Sequence, residues 1–255
     1  MFKKIIINFV SRILRNPDFF LRVKDVFFTN PAEHLLRSTV YVKKRVGEKK
    51  IGPMTILDIG AADGQTCIYF SRSFEGSKII GFEPLKESFA IALENTKHYK
   101  NIEIRNLALS DTVGTSKLSV STNSLSSSLS TINIEEVKKS NPGLSLMMNP
   151  LREEQIEVSL LDHQTKNLDE ILLIKIDTQG TELKILQNGI ETLRKSKFVL
   201  IEMNNNRFYN PTCQYYEVDF FLRSQGFTLV DSFVIYRPAG KMNEYDALYE
   251  NSNLF

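Results

Sequence analysis

From about residue 54 the chain alternates between short apolar runs and segments whose apolar positions recur at helical spacing. Ile56, Leu57 and Ile59 open the series, and Ile171 to Ile176 form a nearly unbroken apolar stretch. Such runs belong to strands covered on both faces, where polar and apolar positions no longer alternate. The pattern predicts strands over 54 to 59, 78 to 83, 102 to 107, near 155 to 160, 171 to 176 and 197 to 203, with two closing strands near 227 to 236. Helices are predicted over 65 to 74, 86 to 97, Gly180 to Leu193 and 214 to 225. The succession implies an α/β fold. Its sheet is mainly parallel and doubly wound, with right-handed crossovers and ligands at the carboxyl ends of the strands.

Two regions depart from this rhythm. Residues 1 to 47 read as helical pieces punctuated by Asn16-Pro17 and Asn30-Pro31, because proline suits a helix start and not its interior. They form an N-terminal helical extension to a domain of residues 48 to 255. Within residues 1 to 15, Ile5, Ile6, Phe9, Val10, Ile13 and Leu14 share a helical face, and Lys3, Lys4, Arg12 and Arg15 add only positive charge. Such a basic amphipathic helix packs on the main domain or on the second subunit of a homodimer, or it makes peripheral membrane contact. The other departure is an insertion at 112 to 150, where six of the ten residues from Ser121 to Ser130 are serine. A stretch this rich in turn residues is expected to be a flexible segment or a binding lid, with Leu144, Leu146, Met147 and Met148 packing part of it.

The strongest chemical signal follows the first strand. In ILDIGAADG, residues 56 to 64, an apolar run holding Asp58 breaks at Gly60 and Gly64, which permit torsions and close ligand approach that a side chain would block. The helix opening near Gln65 directs free amide groups toward an electron-rich ligand. The order D-x-G-x-x-x-G lacks both the third glycine of a dinucleotide fingerprint and the lysine of a phosphate loop. A tight strand-to-helix turn of any α/β protein fits the nonapeptide equally well. KIIGFEP, residues 78 to 84, reads as a second strand ending at Glu83 and halted by Pro84. An acid at that strand end can accept hydrogen bonds from both hydroxyls of a ribose.

Two more acids sit at strand ends, Asp177 after LLIKI and Glu202 in VLIEMN. Asp177 suits removal of a proton from an acceptor, or its orientation, and it suits capping of the following helix as well. Glu202 and Glu182 rank behind it as acceptor ligands or ion-pair partners, and His163 reads as a surface residue.

Composition excludes several classes. At 255 residues, with 42% hydrophobic and 24% charged, the chain suits one large domain with an N-terminal addition. A net charge of +2 provides no electrostatic footprint for nucleic acid. NNNRFYNP at 204 to 211 resembles a base-methylating N-P-P-Y quartet only superficially. Cys67 and Cys213 are far apart and read as free thiols in a reducing cytoplasm, and the isolated His34, His98 and His163 form no metal signature. No apolar run approaches the roughly 20 residues that span a bilayer.

In order, ILDIGAADG, GFEP, RNLALSD at 105 to 111, LLIKIDTQGTELKILQNG at 172 to 189 and VLIEMN at 199 to 204 resemble the FkbM-type family of S-adenosylmethionine-dependent methyltransferases. The resemblance spans roughly residues 54 to 231. It implies a Rossmann-like class I methyltransferase fold, S-adenosyl-L-methionine as cofactor, and methyl transfer to a hydroxyl of a glycan or other small biosynthetic intermediate. It places Asp58 and the loop of Gly60, Ala61, Asp63 and Gly64 at the methionine end of the cofactor, Glu83 and Pro84 at the ribose, and Asn106 and Ala108 beside the adenine. Leu107 and Ala108 carry no acid for the adenine amine, so backbone is expected to serve there. The resemblance also implies that Ser126, Ser127 and Ser128 face the acceptor; Glu202 is expected there too, Asp177 is the candidate catalytic group, and without a histidine or cysteine cluster no metal is expected. A lipid or peptide acceptor, and a non-catalytic nucleotide-binding scaffold, are the alternatives.

Overall fold

The structure is a computed structural model that describes residues 33 to 47, 53 to 122, 127 to 140, 142 to 205, 208 to 210, 213 to 236 and 244 to 255. The helix expected over 1 to 15 and the hydroxyl of Ser126 lie outside the described residues. The chain divides into two compact units between Arg37 and Ser38, inside helix α1 (Glu33–Val46) and not after it.

The second unit continues through β1 (Thr55–Ile59), α2 (Gln65–Ser73), β2 (Lys78–Phe82), α3 (Lys86–Thr96), β3 (Ile102–Arg105), β4 (Ala108–Leu109) and β5 (Gly114–Ser121). Next come β6 (Thr131–Ile132), α4 (Ile134–Ser140), α5 (Pro142–Met147), β7 (Pro150–Ser159), α6 (Leu161–Thr165) and β8 (Ile171–Ile176). The last elements are α7 (Glu182–Gln187), α8 (Ile190–Arg194), β9 (Ser196–Asn204), β10 (Tyr209–Asn210), α9 (Tyr215–Ser224), β11 (Phe227–Tyr236) and β12 (Glu244–Asn251).

Among the described residues, seven strands form the main sheet in the order β11-β12-β9-β8-β1-β2-β3. The five from β9 to β3 are parallel to their neighbours, while β12 runs antiparallel to both β9 and β11. Strand order reverses between β1 and β8, and in open α/β sheets that reversal opens a crevice at the carboxyl ends. Both strands flanking it are buried along their whole length, as their apolar runs require. Leu57, Ile59, Ile174, Ile176, Val199 and Ile201 pack with Ile185 and Leu186 of α7 and Val218 and Leu222 of α9. Each such side chain contributes on the order of 2 kcal/mol by leaving water, so the strand ends at the crevice are held from below.

Several expected elements differ in detail. The strand expected over 102 to 107 stops at Arg105, because Leu107 N donates to Arg105 O and the side-chain amide of Asn106 donates to the carbonyls of Glu83 and Pro84. The chain thereby turns into a separate three-stranded sheet, β4-β7-β5. The insertion is consequently not a bare loop. β5 pairs antiparallel with β7 along its length, and Leu118, Val120, Ile156 and Val158 fill a small core beneath them. The single helix expected from Gly180 to Leu193 is two helices broken at Asn188-Gly189. A Cβ on Gly189 would lie 2.5 Å from Cδ2 of Leu161, so that glycine lets α6 approach. The two closing strands expected near 227 to 236 are a single strand there, with its partner at Glu244–Asn251.

Candidate active site

At the crevice a cavity is lined by Ile59, Gly60 and Ala62 after β1, by Phe82, Glu83 and Pro84 after β2, and by Leu107, Ala108 and Leu109 around β4. Asp177, Thr178, Gln179 and Thr181 supply the β8 side, Ser88 comes from α3, and Leu118, Ser127, Ser128 and Leu129 come from the insertion.

Glu83 ties the β1 and β2 ends together. Its two carboxylate oxygens each accept one backbone amide, from Ala62 at 2.9 Å and from Leu85 at 2.9 Å. Ala62 reaches that bond in the left-handed region, at φ +48°, a conformation L residues adopt only when surroundings enforce it. Burial pushes the Glu83 carboxyl up to about 7, despite the two amides and the charge of Lys175 that favour its ionised form.

Asp58 lies beneath this floor with no solvent exposure and does not line the cavity. It accepts from the Cys67 thiol at 3.2 Å and faces Lys175 Nζ at 3.8 Å. Lys175, the one charged residue in the LLIKI run, also donates to Asp177 at 3.1 Å. Burial alone would strip the lysine of its proton, but the carboxylates of Asp177, Asp58 and Asp246 outweigh it and raise its pKa. Asp58 moves up as well. It loses more from burial than its single long contact with Lys175 returns.

Asp177 lines the cavity with its side chain 36% exposed. Its other oxygen accepts from Gln179 Nε2 at 3.0 Å. The N-cap position of α7 is Thr181, and Glu182 takes the amides of Thr178 and Gly180, so Asp177 does not occupy the cap. Gln179 sits at φ +59° and is bonded at every side-chain atom that can bond. Its amide nitrogen also donates to Glu202 at 3.0 Å, and its amide oxygen accepts from the Tyr209 hydroxyl at 2.7 Å. The Gln179 carbonyl accepts from Ser128 Oγ at 2.7 Å, fastening the insertion to the loop after β8.

The expected site residues therefore separate. Gly60, Glu83, Pro84, Ala108, Ser127, Ser128 and Asp177 meet around the cavity. Asp58, Ala61, Asp63, Gly64, Asn106 and Glu202 are not among its walls. Asp63 accepts the amide of Gln65, and Gly64 packs against Ala92 and Thr96 of α3. Ala61 lies under Gly81 of β2. Glu202 stands one residue behind the wall, with burial and the charges of Asp177, Glu244, Glu182 and Asp246 raising its pKa well above the usual range. The Ser128 hydroxyl holds Gln179 and accepts from Ser130 N, and Ser127 Oγ accepts from Ser121 N. Sequence reading missed Lys175, Gln179 and Ser88. A lone lysine inside an apolar strand was the available signal for the first, whereas pattern held none for the other two.

The Methyltransferase FkbM domain matches residues 58–229 of this chain. The chain belongs to the FkbM methyltransferase family. It is thus an S-adenosylmethionine-dependent methyltransferase, and its sheet has the Rossmann-like arrangement expected of one. No curated protein matches the sequence. Among solved structures, this FkbM methyltransferase is similar to M. capricolum TrmK bound to S-adenosyl-homocysteine, at 12% identity and TM-score 0.45, covering 84% of this chain and 67% of that one. It is also similar to precorrin-6y C5,15-methyltransferase from Geobacter metallireducens, at 11% identity and TM-score 0.43, covering 78% and 80%. A SAM dependent methyltransferase from Aquifex aeolicus aligns at 14% identity and TM-score 0.39, covering 82% and 89%.

The cavity of this FkbM methyltransferase fits that cofactor chemically. A buried carboxylate with one lone pair left on each oxygen stands beside an aliphatic slot formed by Pro84, Leu107, Leu109, Leu118 and Leu129, matching a ribose diol next to a purine. Among the described residues no cluster of metal-ligating side chains is present, and no helix is long and apolar enough to cross a membrane.

Proposed function

We propose that this methyltransferase transfers a methyl group to a hydroxyl oxygen of a glycan or another small biosynthetic intermediate, with Asp177 as the group that receives or orients the hydroxyl proton. The observation that carries this reading is the placement of Asp177, a partly exposed carboxylate on the cavity wall held from both sides by Lys175 and Gln179. Its oxygens accept from Lys175 and Gln179, and its partial exposure presents the carboxylate to the cavity. S-adenosylmethionine supplies an electrophilic methyl on a sulfonium that leaves as a neutral thioether. The protein's task is then alignment of the acceptor oxygen and removal of its proton. Lys175 keeps the Asp177 carboxylate oriented, and Gln179, locked by Glu202 and Tyr209, keeps it from turning away. The serine-bearing wall at Ser127 and Ser128 offers a polar surface that suits a sugar.

The test is incubation with isotope-labelled S-adenosylmethionine and fractionated host extracts, with products read by mass spectrometry. Label on the oxygen of a sugar or small metabolite is expected. Label on nucleic acid or on nitrogen overturns the reading, and label on a lipid or peptide hydroxyl moves the acceptor class while keeping the chemistry.

A further inference from the structure

The polar side chains on the cavity wall are almost all engaged with the protein itself. Glu83 holds two amides, Ser127 and Ser128 hold the insertion, Thr178 and Thr181 bond to one another, and both polar side-chain atoms of Gln179 are bonded. Ser88 is different. It is half-buried in the first turn of α3, it lines the cavity, and it has no hydrogen-bond partner among the described residues.

Its neighbourhood gives that free hydroxyl a meaning. Ser88 comes one helical turn after Pro84, on the side of Glu83 where the wall becomes aliphatic. Pro84, Leu107, Leu109, Leu118 and Leu129 line the same cavity as Glu83, and such side chains would cover the faces of a purine and satisfy nothing on its edge. The nearby donors of Asn106 and Leu107 are occupied. Leu107 N is bonded to Arg105 O, and both protons of the Asn106 side-chain amide point at main-chain carbonyls. A purine edge entering an aliphatic slot needs a partner, since an unsatisfied polar atom shut away from water weakens binding.

We infer that Ser88 is a specificity residue for the cofactor, its hydroxyl hydrogen-bonding the edge of adenine. The inference rests on S-adenosylmethionine occupying this cavity. It names a side-chain contact where only backbone was expected.

Calorimetric titration of the full chain tests it without any methyl acceptor. Four ligands are compared: S-adenosylhomocysteine, its inosine analogue (altered at the 6-amino edge), its 3-deaza analogue (lacking the opposite ring nitrogen) and its 2′-deoxy analogue. Ser88→Ala is expected to weaken S-adenosylhomocysteine about fivefold to tenfold, the value of one neutral hydrogen bond. For the inosine or the 3-deaza analogue the same substitution is expected to change nothing. Ser88→Thr, which keeps the hydroxyl, is expected to restore affinity to within about twofold. Equal losses across all four ligands, no loss for any, or a loss that disappears only with the deoxyribose analogue each overturn the inference. If the unaltered protein fails to bind S-adenosylhomocysteine at all, the cofactor reading itself falls, which is a distinguishable result. Unliganded melting curves of the variants confirm that the fold is shared.

Discussion

The main-chain carbonyl oxygen of Asp177 lies 2.0 Å from the position a Cβ on Gly60 would take. The loops after β1 and β8 thus meet backbone to backbone at the strand-order reversal, and Gly60, at φ +89°, is required by the protein before any ligand enters. Gly60→Val is expected to destabilise the fold by roughly 3 kcal/mol or more, combining a left-handed backbone with overpacking against main chain. Gly114→Ala, at φ +126° with nothing within 4 Å, carries only the backbone penalty. Urea unfolding of the two variants checks the difference; equal losses would mean the β8 loop yields easily.

Glu83 makes stability depend on pH. Its pKa rises from 4.5 to about 7 on folding, so the folded chain binds the proton more tightly and stability falls as pH climbs through that interval. Relative to Glu83→Gln, the wild type is expected to lose roughly 3 kcal/mol between pH 4.5 and pH 7, and little beyond it. Ribose hydroxyls donating to the carboxylate favour its ionised form. Binding of S-adenosylhomocysteine near neutral pH is therefore expected to release protons, which titration in buffers of different ionisation enthalpy measures directly.

Lys175 is the buried counter-charge for Asp58. Lys175→Met is expected to cost about 3 to 5 kcal/mol, because it leaves a carboxylate stranded without water. Adding Asp58→Asn to that variant is expected to recover part of the loss. A double-mutant cycle by urea unfolding reads the coupling, and strict additivity would show that the two do not interact.

Gln179 combines a left-handed backbone with a side chain bonded at both polar atoms, and two substitutions separate these. Gln179→Gly removes the hydrogen bonds but suits the torsion, whereas Gln179→Ala removes the bonds and keeps the strain. The alanine variant is expected to be less stable by about 1 kcal/mol, seen as a lower melting temperature. Identical melting would show that the torsion relaxes once the amide is gone.

Asp177→Asn keeps size but replaces one acceptor oxygen with an NH2 donor, so it keeps only one of the bonds from Lys175 and Gln179 and cannot take up a proton at neutral pH. With the acceptor identified by the product screen, turnover is expected to fall about 10²- to 10⁴-fold while S-adenosylhomocysteine affinity stays near wild type. Full activity would reduce Asp177 to a positioning group.

What the sequence made legible follows from the range of the forces involved. Runs such as Ile171 to Ile176 carry their burial in their composition, so the strands and their acidic ends could be placed by inspection. The break at Asn188-Gly189 depends on Leu161 arriving from elsewhere, and no local pattern reports such an approach. The same holds for the site. Glu83 and Asp177 stand at strand ends and were readable. Asp58 looked equivalent in sequence, yet it turns inward to Lys175, a partner more than a hundred positions away. Gln179 acquires its place only when Glu202 and Tyr209 converge on it, and Ser88 became visible through the lack of a partner, which no sequence displays.

The clasp between Ser128 and Gln179 grips a main-chain carbonyl, an atom that every amino acid provides. The attachment is therefore blind to the identity of residue 179. Natural variation or laboratory selection can rewrite the side chain at this point of the cavity wall while the graft of insertion onto scaffold holds.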